Sequence, residues 1–214
     1  MTIKRRSRPV PRRNKTKRGQ ERADRTRALV IDETIRCIHE EGFAAASTRH
    51  IIDRAGVSWG VIQYHFGDRD GLLTAVLEHS AATLVAALNN LADTAEATTD
   101  IAERAESLTS AAWEIIYTPM STTALEILIA TRFMRGTFDM GALEVVTDAL
   151  SRIIGIIGDD DPNAPGIANL LWASPVGMLV AQMVVSVPLP AEPTRQALSA
   201  LIRDHLLTPP TGTG

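Results

Sequence analysis

Hydrogen-bonding and aromatic side chains are concentrated in one short stretch, residues 57–66, which is VSWGVIQYHF. Its hydroxyl, amide, phenol and imidazole groups can each donate or accept hydrogen bonds. The stretch contains no acidic residue, whereas the solvated face of a helix ordinarily carries charges of both signs. We therefore expect a surface that contacts an anionic partner, and the phosphates of DNA meet that requirement. An ordinary helical hairpin with exposed aromatic side chains is the alternative.

The pattern around this stretch predicts two short helices joined by a tight turn. Ser47 or Thr48 can cap the first of them and Gly56 closes it, while Ser58 can cap the next helix, which ends near Phe66. The inward positions are apolar or small: Ile51, Ile52, Ala55, Val57, Ile62 and Phe66. Such a pair is typical of a helix-turn-helix whose second helix enters the major groove of DNA.

The run from Thr48 to Phe66, followed by Asp68 to Leu73, closely resembles the amino-terminal DNA-binding domain of TetR-type regulators. Cap, turn, core and recognition positions agree in register over roughly residues 25–80, and beyond about residue 85 only the length and the helical pattern agree. The resemblance implies a dimeric, cytoplasmic, ligand-responsive transcription factor, most often a repressor that leaves a palindromic operator when a small molecule binds. A transcriptional activator of the same family is the alternative, and an all-helical enzyme is a remoter one.

The same resemblance implies which residues contact double-stranded DNA. Two residues approach the DNA backbone at the start of the second helix, and the third helix covers base edges and phosphates. A basic residue stands at the start of the fourth helix, where the helix amino terminus also favours an anion. The implied residues are Thr48, Arg49, Ser58, Trp59, Gly60, Val61, Gln63, Tyr64, His65 and Arg69.

Two of these positions depart from the common pattern of the family. Residue 59 is often polar or basic and residue 63 is often tyrosine, but this chain has Trp59 and Gln63. Trp59 can pack on thymine methyl groups, and the amide of Gln63 can pair with N6 and N7 of adenine. We therefore transfer no known operator sequence to this protein.

Charge is distributed very unevenly along the 214 residues. Residues 1–19 hold nine basic and no acidic side chains, so the rest of the chain carries 13 basic and 25 acidic ones. A block of like charge resists packing, and we expect residues 1–20 to form a disordered arm. The arm either adds DNA contacts or is a solvated tail. It lacks the apolar core of a secretory signal, and no uninterrupted apolar run is long enough to predict a membrane span.

The remaining pattern predicts an all-α protein of about nine helices. We divide it into the basic arm at 1–20, a helix-turn-helix domain at 21–80 and a helical effector-binding and dimerisation domain at 81–214. Aromatic residues make up only 4% of the chain, which favours close-packed helices. The single cysteine, Cys37, is expected to be a buried thiol. No metal-binding, cofactor-binding or catalytic motif is recognised, so we expect a protein that is not an enzyme.

Aromatic and methionine side chains in the second domain predict a cavity for an apolar or amphipathic effector. Core packing is the alternative for each of them. The six predicted pocket residues are Trp113, Tyr117, Phe133, Met134, Trp172 and Met178. Weaker candidates are Met120, Phe138 and Met183, with Thr109, Glu114, Thr131, Asn169 and Gln182 as possible polar contacts. The last helix has an apolar stripe at Leu198, Leu201, Ile202, His205 and Leu206, and the helix before it is apolar over most of its circumference. These two helices predict the homodimer interface.

Overall fold

The computed structural model describes residues 14–133, 141–158, 161–185 and 187–208, and this part of the chain is helical throughout, with short connections. It contains nine α-helices, which confirms the all-α prediction. Their bounds are α1 Asn14–Glu41, α2 Thr48–Ala55, α3 Trp59–Phe66, α4 Arg69–Ala97, α5 Ile101–Ile116, α6 Pro119–Ala130, α7 Gly141–Gly158, α8 Ala164–Val184 and α9 Glu192–Leu207. A 3₁₀ turn, Phe43–Ala45, joins α1 to α2.

The first four helices pack around one apolar core. Ile38 of α1, Ile51 of α2, Ile62 of α3 and Leu72 of α4 are all fully buried in it. Each lies on the inward stripe that the 3.6-residue period predicts, so burial of these stripes fixes how the short helices α2 and α3 sit on the longer ones. The tight packing holds α3 at the surface of the domain with one face outward.

The first helix begins earlier than its sequence pattern predicts. We expected it to start near residue 22 and residues 1–20 to be disordered, but α1 already begins at Asn14. The expectation is therefore wrong for residues 14–20, and residues 1–13 lie outside the described part of the chain. Lysine, arginine, glutamine and glutamate are good helix formers. The Gln20 amide also donates a 2.9 Å hydrogen bond to the Asp24 carboxylate one turn later.

A second apolar core lies among the carboxy-terminal helices. There α4 packs along α7, and α5 packs along α9. Leu108, Ile153, Leu171 and Ile202 are fully buried between these helices. Arg152 of α7 pairs with two acidic side chains of α4, and Arg195 of α9 pairs with Glu106 of α5. These ion pairs lie at the rim of the core and link α7 to α4 and α9 to α5.

One carboxy-terminal helix, α6, also packs on the amino-terminal domain. Its Ile127 is fully buried in the first core, and the Thr123 hydroxyl donates to the backbone oxygen of Ile35. The backbone N–H of Phe43 donates to the Glu126 carboxylate at 3.0 Å. A helix of the effector region therefore packs on α1, α4 and the 3₁₀ turn, the elements against which the helix-turn-helix lies. The predicted division at residue 80 falls within the continuous helix α4.

Helices α4 and α8 are long and apolar enough, by length and composition, to cross a membrane. The core helices of many proteins pass the same test. Here the start of α4 forms part of the helix-turn-helix core, and α8 buries one face, including Leu171, in the second core. One apolar face of each helix is therefore used in packing within the chain.

Candidate nucleic-acid interface

Helix α2, a tight turn and helix α3 form the unit that the sequence predicts. The Ser47 hydroxyl accepts a hydrogen bond from the His50 backbone N–H, which caps α2. Gly56 ends α2 in the left-handed conformation with φ of 63°, which a residue with a side chain rarely adopts. Ser58 precedes α3 in an extended conformation, although its side chain makes no capping bond. The turn therefore sets the angle between α2 and α3.

The outward face of α3 carries the polar and aromatic groups. Tyr64 is 79% exposed and Trp59 is 53% exposed, and Gln63 is also exposed. Exposure of two such large side chains leaves apolar surface in water unless a partner covers it. Ser58 and Gly60 are exposed as well, whereas Val61 and His65 are half-buried. The structure thus exposes Ser58, Trp59, Gly60, Gln63 and Tyr64, whereas Val61 packs partly against the first core.

Two glycines near this surface differ in whether the fold leaves room for a side chain. A Cβ at Gly71, in the first turn of α4, would lie 2.0 Å from the backbone oxygen of Phe66. The corner between α3 and α4 therefore requires glycine. A Cβ at Gly60 would meet only the Ser58 Oγ, at 3.8 Å. The fold does not require glycine at position 60, and its bare backbone is free to approach a ligand closely.

Acidic side chains of α1 anchor the back of α2. Arg54 of α2 contacts Glu33, Glu40 and Glu41, and the His50 ring lies 2.9 Å from the Glu41 carboxylate. The His50 hydrogen bond, with help from Arg54, holds the pKa of the Glu41 carboxyl below its usual range. Because folding lowers that pKa, the contacts of Glu41 stabilise the folded state at pH values above the ordinary glutamate pKa. This stabilisation is lost as acid protonates Glu41. The guanidinium of Arg54 is thus paired with the protein's own carboxylates.

The two basic residues predicted to contact DNA phosphate play different structural roles. Arg49 on α2 is exposed and has no partner among the described residues, so its charge is available to a phosphate. Arg69 instead donates from Nε to the backbone oxygen of Ala46 at 2.9 Å, and its guanidinium lies 4.8 Å from the centre of the Phe43 ring. Arg69 therefore ties the start of α4 to the turn before α2, a role that the sequence did not reveal.

Near this anchor the described residues bring together three side chains of metal-binding type. Cys37, Glu41 and His50 offer ligand atoms within 4.8 Å of one another. Burial raises the pKa of the Cys37 thiol, which favours its neutral form. Glu41 already pairs with His50 and Arg54, so positive charge is supplied there by the protein itself. We assign no metal to this cluster.

The carboxy-terminal helices enclose a cavity of about 300 Å³ between α4, α5 and the start of α6. None of the six predicted pocket residues lines it, and of the eight weaker candidates only Met120 and Glu114 do; Phe138 lies outside the described residues. Its other lining residues are short polar or aliphatic side chains, which carry no distinctive sequence signal. They are Ser80, Thr83, Leu84, Ala87, Asn90, Leu91, Thr94, Ser107, Ala111, Ile115, Thr118 and Ser121.

The predicted pocket residues lie elsewhere in the structure. Trp113 is buried in the second core and Trp172 packs against it, and neither indole N–H has a hydrogen-bond partner among the described residues. Phe133 is 87% exposed and Tyr117 is also exposed. Met178 is half-buried. Met134 lies outside the described residues, and the structure does not bring the other five together around the cavity.

Comparison with known proteins agrees with this arrangement. A family model described as bacterial regulatory proteins, tetR family, matches residues 30–76, which run from the last turns of α1 through α2 and α3 to the first turns of α4. Residues 30–76 of the chain are therefore similar to the DNA-binding region of the tetR family. The matched region includes all ten predicted DNA contacts, of which nine lie on or beside α2 and α3 and the tenth is Arg69 in α4.

Individual relatives extend the comparison to sequence and to fold. The HTH-type transcriptional regulator BetI of Burkholderia thailandensis is 41% identical over 61 residues, which are 28% of this chain and 31% of that protein. The chain thus matches about a third of the length of this curated relative. A transcriptional regulator from Rhodococcus sp. RHA1 has the same fold over 86% of this chain and 96% of its own, with 25% identity and a TM-score of 0.60. The multidrug binding protein EbrR, complexed with imidazole, covers 82% and 93% with 20% identity and a TM-score of 0.56.

Proposed function

We propose that this tetR-family protein is a homodimeric, cytoplasmic repressor of transcription that binds a palindromic operator and is released by a small molecule. One observation carries the DNA-binding part. Helix α3 presents Trp59, Gln63 and Tyr64 to solvent on a helix-turn-helix that the protein's own core holds rigidly. A rigid, acid-free helix with hydrogen-bonding side chains suits the major groove.

Selection from random DNA sequences with the full-length protein tests this proposal. The enriched sites should be pseudo-palindromic, with half-site centres about 34–36 Å apart, one turn of DNA. The genes next to matching genomic sites would then indicate what the protein regulates. A selection that enriches no motif would refute sequence-specific binding.

Gln63 is expected to read a base within that motif. Its exposed amide stands on the outward face of α3, and a bidentate pair with adenine discriminates against other bases by about 1–3 kcal/mol. Gln63→Ala should therefore relax preference at one position of each half-site and leave the other positions unchanged. Gln196→Ala, a matched change on α9, should return the original motif. An unaltered motif from Gln63→Ala would show that this residue reads no base.

The amino-terminal half of α1 supports an additional contact with the DNA backbone. Lys17, Arg18, Arg22 and Arg25 are exposed along it. Further along the helix, the Arg27 guanidinium lies 5.6 Å from the centre of the Phe66 ring at the end of α3. The basic part of α1 therefore extends away from the recognition helix. Its positive charges can attract the phosphates that flank the groove entered by α3.

Deleting residues 1–19 should weaken DNA binding and reduce its dependence on salt. Each lost phosphate contact lowers the slope of log K against log salt by about 0.9. Binding measured at four or five salt concentrations for the full and shortened proteins gives the two slopes. The stability of the shortened protein to urea provides the control, because residues 17–19, whose burial is described, are exposed. Equal slopes would identify the segment as a solvated tail.

Helix α8 supports the proposed homodimer because it has two opposite apolar faces. One face is buried in the protein at Ala164, Ala168, Leu171, Pro175 and Leu179. The other presents Gly166, Leu170, Ala173, Gly177 and Val184, all exposed. These outward residues recur with spacings of four, three, four and seven, the repeat by which two helices pack along each other. The predicted α9 stripe is only partly available, because Leu198 and Ile202 are buried in the second core whereas Leu201 is exposed. We propose that the outward face of α8, together with the exposed side of α9, meets the same surface of a second copy.

Helix α6 provides a physical route from ligand to DNA. Met120 and Ser121 at its start line the cavity, while Thr123, Glu126 and Ile127 contact α1, the 3₁₀ turn and the first core, on which α2 and α3 rest. A ligand that displaces the start of α6 therefore alters the support of α2 and α3. Helix α4, which also lines the cavity, is the second connection. Such a ligand changes DNA affinity only if it binds more tightly to one of two conformations that differ in how α2 and α3 are supported.

A further inference from the structure

The cavity between α4, α5 and α6 is amphipathic. Leu84, Leu91, Ile115 and Met120 supply an apolar part, and hydroxyl, amide and carboxylate groups supply the rest. No aromatic side chain is among its lining residues, so it offers no stacking surface to a flat polycyclic compound. Its volume of about 300 Å³ lies at the lower end of the range for small-molecule sites. A short aliphatic ligand with one polar end fits these properties.

One buried hydroxyl in the cavity lacks a partner. Ser80 is 7% exposed, and its Oγ makes no hydrogen bond to any described residue. The neighbouring hydroxyls are occupied: Thr83 donates to the backbone oxygen of His79, and Ser121 donates to that of Ile115. Buried polar groups are nearly always paired in folded proteins. The Ser80 Oγ therefore marks a place where a ligand group can hydrogen-bond.

The charge of the cavity selects among polar ends. Glu114 is the only ionisable residue that lines it, and the carboxylate has no ion-pair partner among the described residues. Glu114 is exposed, which places it at the mouth of the cavity. A ligand carboxylate or phosphate would be repelled there, because no basic side chain among the lining residues compensates. A ligand cation would be attracted.

We infer that this cavity binds a small aliphatic ammonium compound, with its charged end near Glu114, its chain on the apolar part and the Ser80 Oγ as a hydrogen-bonding partner. This inference names the chemical class of the effector, so the ligand's role in regulation rests on the proposed function. Binding itself is measured on the free protein. Failure of this inference is therefore distinguishable from failure of DNA recognition.

Three probes with the same carbon chain test the inference: hexylamine, 1-hexanol and hexanoate at neutral pH. They differ in charge at one end and are otherwise closely matched. The site is observed through the methyl resonance of Met120, which lines the cavity, in full-length protein labelled at methionine methyl groups; Met120→Leu assigns that resonance. Titration should shift it with hexylamine at the lowest concentration, with hexanol at a higher one, and not with hexanoate.

Variants then separate charge from volume. Glu114→Gln should weaken the binding of hexylamine about two- to fivefold, the effect of losing one exposed ion pair. The binding of hexanol should be unchanged. Glu103→Gln, three turns earlier on α5 and outside the cavity, is the matched control and should change neither. Ala87→Phe should fill the cavity and abolish the Met120 shift for both probes. An unchanged hexylamine affinity in Glu114→Gln, or equal binding of hexanoate, would overturn the assignment of an ammonium ligand. Absence of any Met120 shift would overturn the site.

Discussion

Gly71→Ala is expected to destabilise the amino-terminal domain by about 3 kcal/mol and to abolish DNA binding. The added methyl carbon would lie 2.0 Å from the Phe66 backbone oxygen, well inside van der Waals contact. Because backbone atoms cannot swing aside as a side-chain tip can, either the end of α3 or the first turn of α4 must move. Overpacking of this kind costs 1–3 kcal/mol or more, and it acts where α3 is positioned.

Gly60→Ala is the matched change and should have the opposite pattern. The new methyl group meets open space apart from the Ser58 Oγ at 3.8 Å. Alanine is the better helix former, so the free energy of unfolding should rise by about 0.5–1 kcal/mol. Operator affinity should nevertheless fall about tenfold, which is about 1.4 kcal/mol, if the bare backbone of α3 approaches the bases.

Urea denaturation followed by circular dichroism gives the stability of each variant, and fluorescence anisotropy with the selected operator gives its affinity. The wild-type protein is the reference for both. A Gly71→Ala protein of normal stability would show that the α3–α4 corner relaxes more easily than its geometry implies. Unchanged operator affinity in Gly60→Ala would show that the backbone at this position stays away from DNA.

Local sequence signals were sufficient to predict the helix-turn-helix. A capping serine, a left-handed Gly56 and the inward spacing of Ile51 and Ile62 are short-range features, and each has one structural meaning. The outward position of Gln63 and Tyr64 follows from the same period. These elements need no knowledge of distant parts of the chain, which is why their bounds agree with the structure to within one residue.

Tertiary contacts decided what the sequence could not show. Arg69 stands where a phosphate contact is expected, yet its partner is Ala46, 23 residues earlier in the chain. Trp113 has the character of a ligand-contacting residue but lies in the core, and Phe133 has the same character but lies at the surface. The cavity instead depends on hydroxyl and small aliphatic residues of three helices. Such residues become a site only when packing brings their helices together.

The support of α2 and α3 by α6 was also beyond sequence reasoning. The contact between the Phe43 N–H and Glu126 joins residues 83 positions apart. Helix α4 runs continuously from one region into the other. The structure adds α6 as a second connection, because Ile127 completes the core on which the recognition helix rests.

Ala173→Arg is expected to convert the protein to a monomer and to weaken binding to the full operator by at least about 100-fold. Ala173 lies in the middle of the outward stripe of α8 and is exposed in the single chain. In the proposed dimer the same residue of each copy lies near the symmetry axis, so one substitution brings two arginines together in an apolar interface. The cost of burying two like charges without partners exceeds what an interface of small residues can offset.

The loss of DNA affinity follows from the loss of linkage between two recognition helices. In a dimer, binding of one half-site places the second α3 at a high effective concentration over the other half-site, which raises affinity by about 10²–10⁴. A monomer keeps its contacts with one half-site but loses this gain. Ala173→Arg should therefore bind an isolated half-site as well as the wild-type protein does, while its advantage for the full palindrome disappears.

Sedimentation velocity at micromolar concentration gives the oligomeric state, and anisotropy with full and half operators gives the two affinities. Ala86→Arg makes the same change at an exposed position of α4, away from α8, and should remain a dimer with normal affinity. Val184, 80% exposed near the end of the stripe, allows an independent check, because Val184→Arg should weaken the dimer without touching the α8 residues buried in the core. If both α8 variants remain dimers, the two copies meet through another surface. If they become monomers and still bind the full palindrome tightly, DNA recognition does not depend on the linked pair of α3 helices.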